Sequence, residues 1–286
     1  MDLRRWLVAG RLAATFPLRF WNNYRAMCQG TAPIIVLFYH RVADTHPNPW
    51  TISCEMFERQ MRWLKRHTDV ISLTEAHRRI RDGRNSRVAS CVTFDDGYSD
   101  NCTFALPFLL DAQIPCTYFV ASDHVLQQRP FPHDELAGIP LLPNTPEQIQ
   151  AMARAGVEIG AHTKSHADLG QITSRARLYD EIAGSGEALA DLIHRPIRFF
   201  AFPYGQPANL SCDALEVAHE AGYQAVCTAY GGYNRPGGDP FQIQRVHGDP
   251  DMIRFQNWMT VDPRKWQLHP PYAAAPSKPP TTVREA

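Results

Sequence analysis

Residues 88–97, VASCVTFDDG, decide how the chain reads. The uncharged run 88–94 has the length and the β-branched and apolar content of a strand, and it ends in two carboxylates and a glycine. Apolar side chains at successive positions suit a strand covered on both faces, as in a parallel sheet connected by helices. The pattern recurs on either side of it. Residues 34–39 (IIVLFY), 114–120 (IPCTYFV), 157–161 (VEIGA), 198–202 (RFFAF), 224–229 (QAVCTA) and 242–246 (QIQRV) are the other candidate strands. Between them, Phe57, Met61 and Leu64 share a helical face, as do Leu178, Ile182, Leu189, Leu192 and Ile193, and residues 209–221 supply a further helix. Seven strands alternating with helices predict an α/β barrel. Residues 122–146, rich in proline, read as a long loop over one end of it.

Composition narrows the class. The 286 residues are 44% hydrophobic and 20% charged, which describes a folded body. Twenty-nine basic residues balance twenty-nine acidic ones, so no net field is present to hold a nucleic acid. No stretch of ~18 apolar residues offers a transmembrane helix. The seven cysteines include no C-x-x-C pair, and Cys91, Cys116 and Cys227 fall inside strands, a usage that leans towards a reducing compartment.

The chain divides into an N-terminal basic segment (1–32), one barrel (33–262) and a Pro-rich tail expected to be disordered (263–286). In the first segment Leu3, Trp6, Leu7, Gly10, Ala13 and Ala14 share one side of a helix, with Arg4, Arg5 and Arg11 opposite and Pro17 expected to end it. Arg11 interrupts the apolar core that a secretory signal needs. Residues 1–30 therefore read either as a peripheral contact with an anionic membrane or as a helix packed on the body. The cytoplasm, or the periphery of the inner membrane, is the expected location, with the cell envelope or the extracellular space as the alternative.

Polar residues collect where the strands end, which in parallel α/β barrels is where the chemistry lies. His40-Arg41 follow the first strand and Asp95-Asp96-Gly97 the second. HTKSH (162–166), Pro203-Tyr204-Gly205, and Arg245 with His247 mark three others. Asp96, His162 and His166 form an oxygen-nitrogen-nitrogen set suited to a divalent cation, the two imidazoles converging if residues 163–165 make a helical turn. Asp95 is then placed to accept a proton from the attacking water. DDGYSDN lacks the ligand ladder of an EF-hand, Gly184-Ser185-Gly186 lacks the frame of a nucleophile elbow, and neither a Walker loop nor a dinucleotide fingerprint occurs.

VTFDDGYSDN (92–101), HTKSH (162–166) and FAFPYG (200–205) resemble the first three motifs of the polysaccharide deacetylase family, the NodB-homology domain of carbohydrate esterase family four. YHRV (39–42) with FERQMRWLKRHTDVISLTEA (57–76) resembles the entry segment of the branch that includes exopolysaccharide deacetylases. The resemblance covers about 34–247 and implies a distorted (β/α)7 barrel. It also implies a hydrolase that removes an N-acyl group, usually acetyl, from an amino sugar of a polysaccharide or lipid-linked glycan. On that carry-over Asp96, His162 and His166 bind the metal, Zn²⁺ first and Co²⁺, Ni²⁺ or Mn²⁺ as alternatives. Asp95 is the general base, and the Tyr204 N–H, beside Pro203, helps hold the oxyanion. Two positions depart from the pattern. Ala201 stands where the third motif often has a base-orienting arginine, and Arg245 is expected to approach Asp95 in its place. The family's late leucine-x-histidine motif has no clear match, which leaves His247 as the first candidate for the general acid and His40 as the second. Alternative readings are a carbohydrate-binding relative without turnover, and an O-acyl esterase or deformylase on the same barrel.

Overall fold

The computed structural model describes residues 3–229 and 231–263; the expected disordered tail lies outside them except for its first residue. Eight parallel strands carry the fold: β1 (Ile34–Tyr39), β2 (Ala89–Phe94), β3 (Cys116–Val120), β4 (Glu158–Ala161), β5 (Phe199–Ala201), β6 (Ala225–Cys227), β7 (Gln242–Ile243) and β8 (Arg245–His247). Their order is β7-β6-β5-β4-β3-β2-β1-β8. The two ends of that list are halves of one stretch of chain. Gln242 and Ile243 pair with Val226 and Cys227 of β6, and Arg245 to His247 pair with Val36 to Phe38 of β1. The seventh expected strand thus splits at Gln244 and closes the ring, giving a nearly closed (β/α)7 barrel.

Side chains alternate across the barrel wall with period two. Ile34, Val36, Ala89, Cys91, Phe119, Phe199, Ala201, Ala225, Cys227 and Ile243 pack together as the interior, joined by Leu73, Ala76 and Ile80 of α3 (Leu73–Arg81). A β-carbon on Gly160 would overlap the Phe119 ring, so glycine here lets a phenylalanine fill the interior. The intervening positions, among them Leu37, Val92, Tyr118, Phe200 and Val246, face outward onto helices. Those helices are α2 (Cys54–His67), α4 (Ala105–Asp111), α7 (Pro146–Arg154), α8 (Arg175–Ile193), α9 (Cys212–Glu220) and α10 (Met252–Met259).

Two expectations are corrected. Residues 122–146 are not one loop: α5 (Ser122–Gln127) and α6 (Pro132–Leu136) lie within them, α6 opening with a proline at its first turn, where the missing N–H costs nothing. Pro17 does not end the first helix either. Helix α1 runs from Leu3 to Cys28, because tertiary bonds fix the turns on both sides of the proline. Arg11 pairs with Asp262, and the Arg19 guanidinium donates to the carbonyl and side-chain oxygens of Asn257, each at 2.9 Å.

Candidate metal centre and active site

The interior stripes end in the residues that carry chemistry. Asp95 continues the stripe of Ala89, Cys91 and Thr93, His40 that of Ile34, Val36 and Phe38, and Arg245 and His247 that of Ile243. Arg245 and Asp95, 150 residues apart in sequence, meet in the barrel: Nη1 and Nη2 donate to Oδ1 and Oδ2 at 2.6 and 2.8 Å. The Arg245 Nε donates to the Thr228 carbonyl, and the guanidinium lies 5.0 Å from the Phe38 ring centre and 5.3 Å from that of Phe119. Both partners are buried. Burial alone would raise the Asp95 pKa, but the fields of Arg245 and His162 outweigh it, and the carboxyl is held below its usual range.

Asp96 would face outward on a regular strand. The chain instead leaves β2 with Asp96 at φ +74° and Gly97 at +100°, which brings both carboxylates to one side. Its partners come from residues 162–166, and here another expectation is corrected: these residues form no helical turn. Thr163 and His166 hold positive φ values of 62° and 58°, a strained course fixed from outside. Glu181 of α8 accepts from the Lys164 N–H, the Ser165 N–H and the Ser165 hydroxyl at 3.1, 3.0 and 2.6 Å. The Ser185 hydroxyl donates to the Thr163 carbonyl, and the Ser122 and Asp123 N–H groups at the start of α5 donate to the carbonyls of Thr163 and Lys164.

The turn places His162 Nε2 and His166 Nε2 at 3.3 and 3.2 Å from Asp96 Oδ1, yet that oxygen has no hydrogen-bond partner. One ligand atom from each of the three residues lies within 4.8 Å of the others. His162 Nδ1 is 2.8 Å from the Ala201 carbonyl, which only accepts, so Nδ1 carries a proton and it is Nε2 that would offer its lone pair to a cation. The fields of His166 and His40 hold Asp96 ionised against the opposing effect of burial, and burial lowers the His166 pKa. The three residues thus fit a divalent cation in charge, donor type and spacing.

Around this cluster stand the other predicted residues. His40 keeps a buried Nδ1 without a partner, and its ring lies 5.0 Å from that of Trp50 and 6.3 Å from that of His247. Burial and the charge of His40 push His247 down to about 4. Tyr204, at φ +61°, is exposed and holds its ring 5.2 Å from that of His166; its N–H makes no hydrogen bond among the described residues. Pro203 is buried, and its carbonyl accepts from Gly205 at 2.6 Å.

Several supporting residues escape a reading of the sequence. Glu181 is one. Asn101 is another: its side chain donates to the His40 carbonyl and accepts from the Val42 N–H, fixing the turn that carries His40. Phe131, just before α6, packs edge-on against His166 at 5.5 Å, and Tyr98 donates to Asp134 at 2.8 Å, tying α6 down beside the cluster. Only a polar residue inside an otherwise apolar helical face could have flagged Glu181, and such a position looks no different from a solvent-facing one.

Comparison with known proteins agrees with the geometry. A family model described as polysaccharide deacetylase matches residues 82–226. The protein YxkH of Bacillus subtilis (strain 168) is 26% identical over 224 residues, covering 77% of this chain and 73% of YxkH. A chitooligosaccharide deacetylase of Bradyrhizobium sp. (strain ANU 289) is 29% identical over 161 residues, 56% of this chain and 64% of that protein. Among solved structures, IcaB from Ammonifex degensii superposes with a TM-score of 0.66 at 26% identity, covering 80% of this chain and 97% of that one. The matched residues take in Asp95, Asp96, both histidines of the turn and Tyr204, and the chain belongs to the polysaccharide deacetylase family, whose members are hydrolases of N-acetyl amide bonds.

Proposed function

We propose that the protein is a metal-dependent deacetylase that hydrolyses the N-acetyl group of an amino sugar in a polysaccharide or lipid-linked glycan. The observation that carries this reading is the cluster of Asp96, His162 and His166, with ligand atoms within 4.8 Å, standing beside a second carboxylate clamped by Arg245. A bound divalent cation, zinc by preference, would polarise the acyl carbonyl and make water nucleophilic near neutral pH. Asp95 takes the proton as the water oxygen attacks the carbonyl carbon; Arg245 occupies one side of its carboxylate and leaves the other to the cleft. The free Tyr204 N–H donates to the developing oxyanion, a contribution of about 3 kcal/mol for one such donor. The C–N bond then breaks as the leaving amine nitrogen gains a proton, releasing acetate and a free amino sugar.

Of the two candidate acids the observations favour His40. A histidine pushed down to about 4 holds almost none of the imidazolium form that serves as a general acid at neutral pH, which counts against His247. His40 lies close enough to the carboxylates to lower both, and its unpartnered Nδ1 needs a donor or acceptor that substrate can supply.

Acetate release from N-acetylated chito-oligosaccharides, followed with zinc and after chelation, tests the reading. The wild type should turn over with metal only, and Asp95→Asn should lower kcat by ~10³-fold. Turnover that survives chelation, or an Asp95→Asn variant as fast as the wild type, would refute it.

A further inference from the structure

Helix α1 is built with its faces reversed. A helix on the surface of a soluble protein normally turns its apolar stripe to the core and its polar residues to water. Here the stripe of Leu12, Thr15, Arg19 and Asn23 meets the body, held by the polar bonds of Arg19 to Asn257 and of Asn23 to the Thr260 carbonyl. The opposite side carries Trp6, Leu7, Trp21 and Tyr24, with Phe16 and Phe20 on its flank. Trp6, Leu7, Phe20 and Trp21 are 61–64% exposed. Half of the exposed large hydrophobic residues among those described lie on this one helix. The apolar surface continues into a cavity of about 360 Å³ between α1 and the body, lined by Leu12, Phe16, Phe20, Trp63, Val88 and Met259.

Charge identifies what would cover this face. Of the arginines of residues 1–30, Arg11 and Arg19 are engaged by Asp262 and Asn257, whereas Arg25 stands exposed at the edge of the apolar side, and no acid lies on the helix. A second copy meeting the face by two-fold symmetry would set like charges against each other, with no acid on the helix to pair them. An anionic lipid surface supplies the missing sign, and tryptophan and tyrosine suit the boundary between headgroups and acyl chains. No helix among the described residues is long and apolar enough to cross a membrane, so the contact lies in the plane of the surface. We propose that α1 docks the protein on an anionic membrane, with Trp6, Leu7, Trp21 and Tyr24 in the interface and Arg25 among the headgroups. This inference does not depend on the proposed activity.

The test is sedimentation of the full chain with vesicles of phosphatidylcholine alone or with about 30% phosphatidylglycerol. Binding to the anionic vesicles only, weakened by salt and accompanied by a blue shift of tryptophan emission, is the expected result. The double variant Trp6→Glu with Trp21→Glu should bind at least ~10-fold less while keeping its thermal melt and its activity on soluble oligosaccharides. Should that variant fail to fold, Tyr24→Ser and Arg25→Ser at exposed positions repeat the comparison. Absence of binding to anionic vesicles overturns the proposal, as does undiminished binding by the variants. So does light scattering that shows a dimer, dissociated by the same substitutions, from a protein that ignores vesicles.

Discussion

Asp95 keeps both oxygens on the Arg245 guanidinium, and that contact governs how its carboxylate is held and aimed. Removing one member of a buried ion pair leaves the other charge stranded, at a cost of about 3–5 kcal/mol. Arg245→Met should therefore lower the melting temperature and nearly abolish turnover. Arg245→Lys is the sharper probe, because it keeps the charge and loses the fork. It should fold, bind substrate with a similar KM, and lose kcat by ~10²-fold in acetate-release kinetics; a matching rise in KM would place Arg245 in binding instead. The two acid candidates separate in the same assay. His40→Ala should cost at least ~10²-fold in kcat, while His247→Asn should stay within a few-fold. The meeting of Arg245 with Asp95 was legible because period two sends alternate residues of every strand to one interior, so residues far apart in sequence end on one wall. Preference between the histidines was not legible, since it depends on burial and on the field of one ring at the other.

At the scale of elements, the strands were readable to within one or two residues at each end, apart from the split at Gln244, because runs apolar on both faces have few other uses. Connections were less readable. The turn 162–166 looks helical by spacing alone, but its two positive φ values are imposed by Glu181 and Ser185 on a helix that begins nine residues after it. Long-range hydrogen bonds of this kind leave no periodicity behind. Glu181 acts on the site only through that turn. Glu181→Ala removes the acceptor of the Ser165 N–H and hydroxyl, leaving the Lys164 N–H its bond to the main-chain carbonyl of residue 181, and should weaken zinc affinity by ~10–100-fold, measured by competition with a chromogenic chelator. Glu181→Gln, which keeps one acceptor oxygen, should recover part of it. An unchanged affinity in Glu181→Ala would mean that the strand and Ser185 suffice to shape the turn. Helix α6 was hidden by Pro132, which reads as loop but serves here as a helix opener, and α5, only six residues long, is too short to show a period.

For the molecule as a whole, one segment both closes the barrel and supplies the site. Residues 242–247 join β6 to β1 while delivering Arg245 and His247 to the interior, so the stability of the ring and the state of its mouth are linked. His247 makes the link measurable. Its pKa is about 4 in the folded protein, against 6.5 for an ordinary histidine. Between those values the unfolded chain binds a proton that the folded one refuses, so stability rises with pH there. The contribution is complete above about pH 6.5 and falls away as the pH drops towards 4, by roughly 3 kcal/mol in all. His247→Asn cannot titrate, so it should lose about 2 kcal/mol less than the wild type between pH 7 and pH 5. Carboxylates titrate in both proteins and cancel from the difference. Urea unfolding at the two pH values, with chelator present so that metal binding contributes nothing, reads this directly. Equal losses would show that His247 titrates in the folded barrel as it does in the unfolded chain, and that would also remove the argument that leaves His40 as the donor to the departing amine.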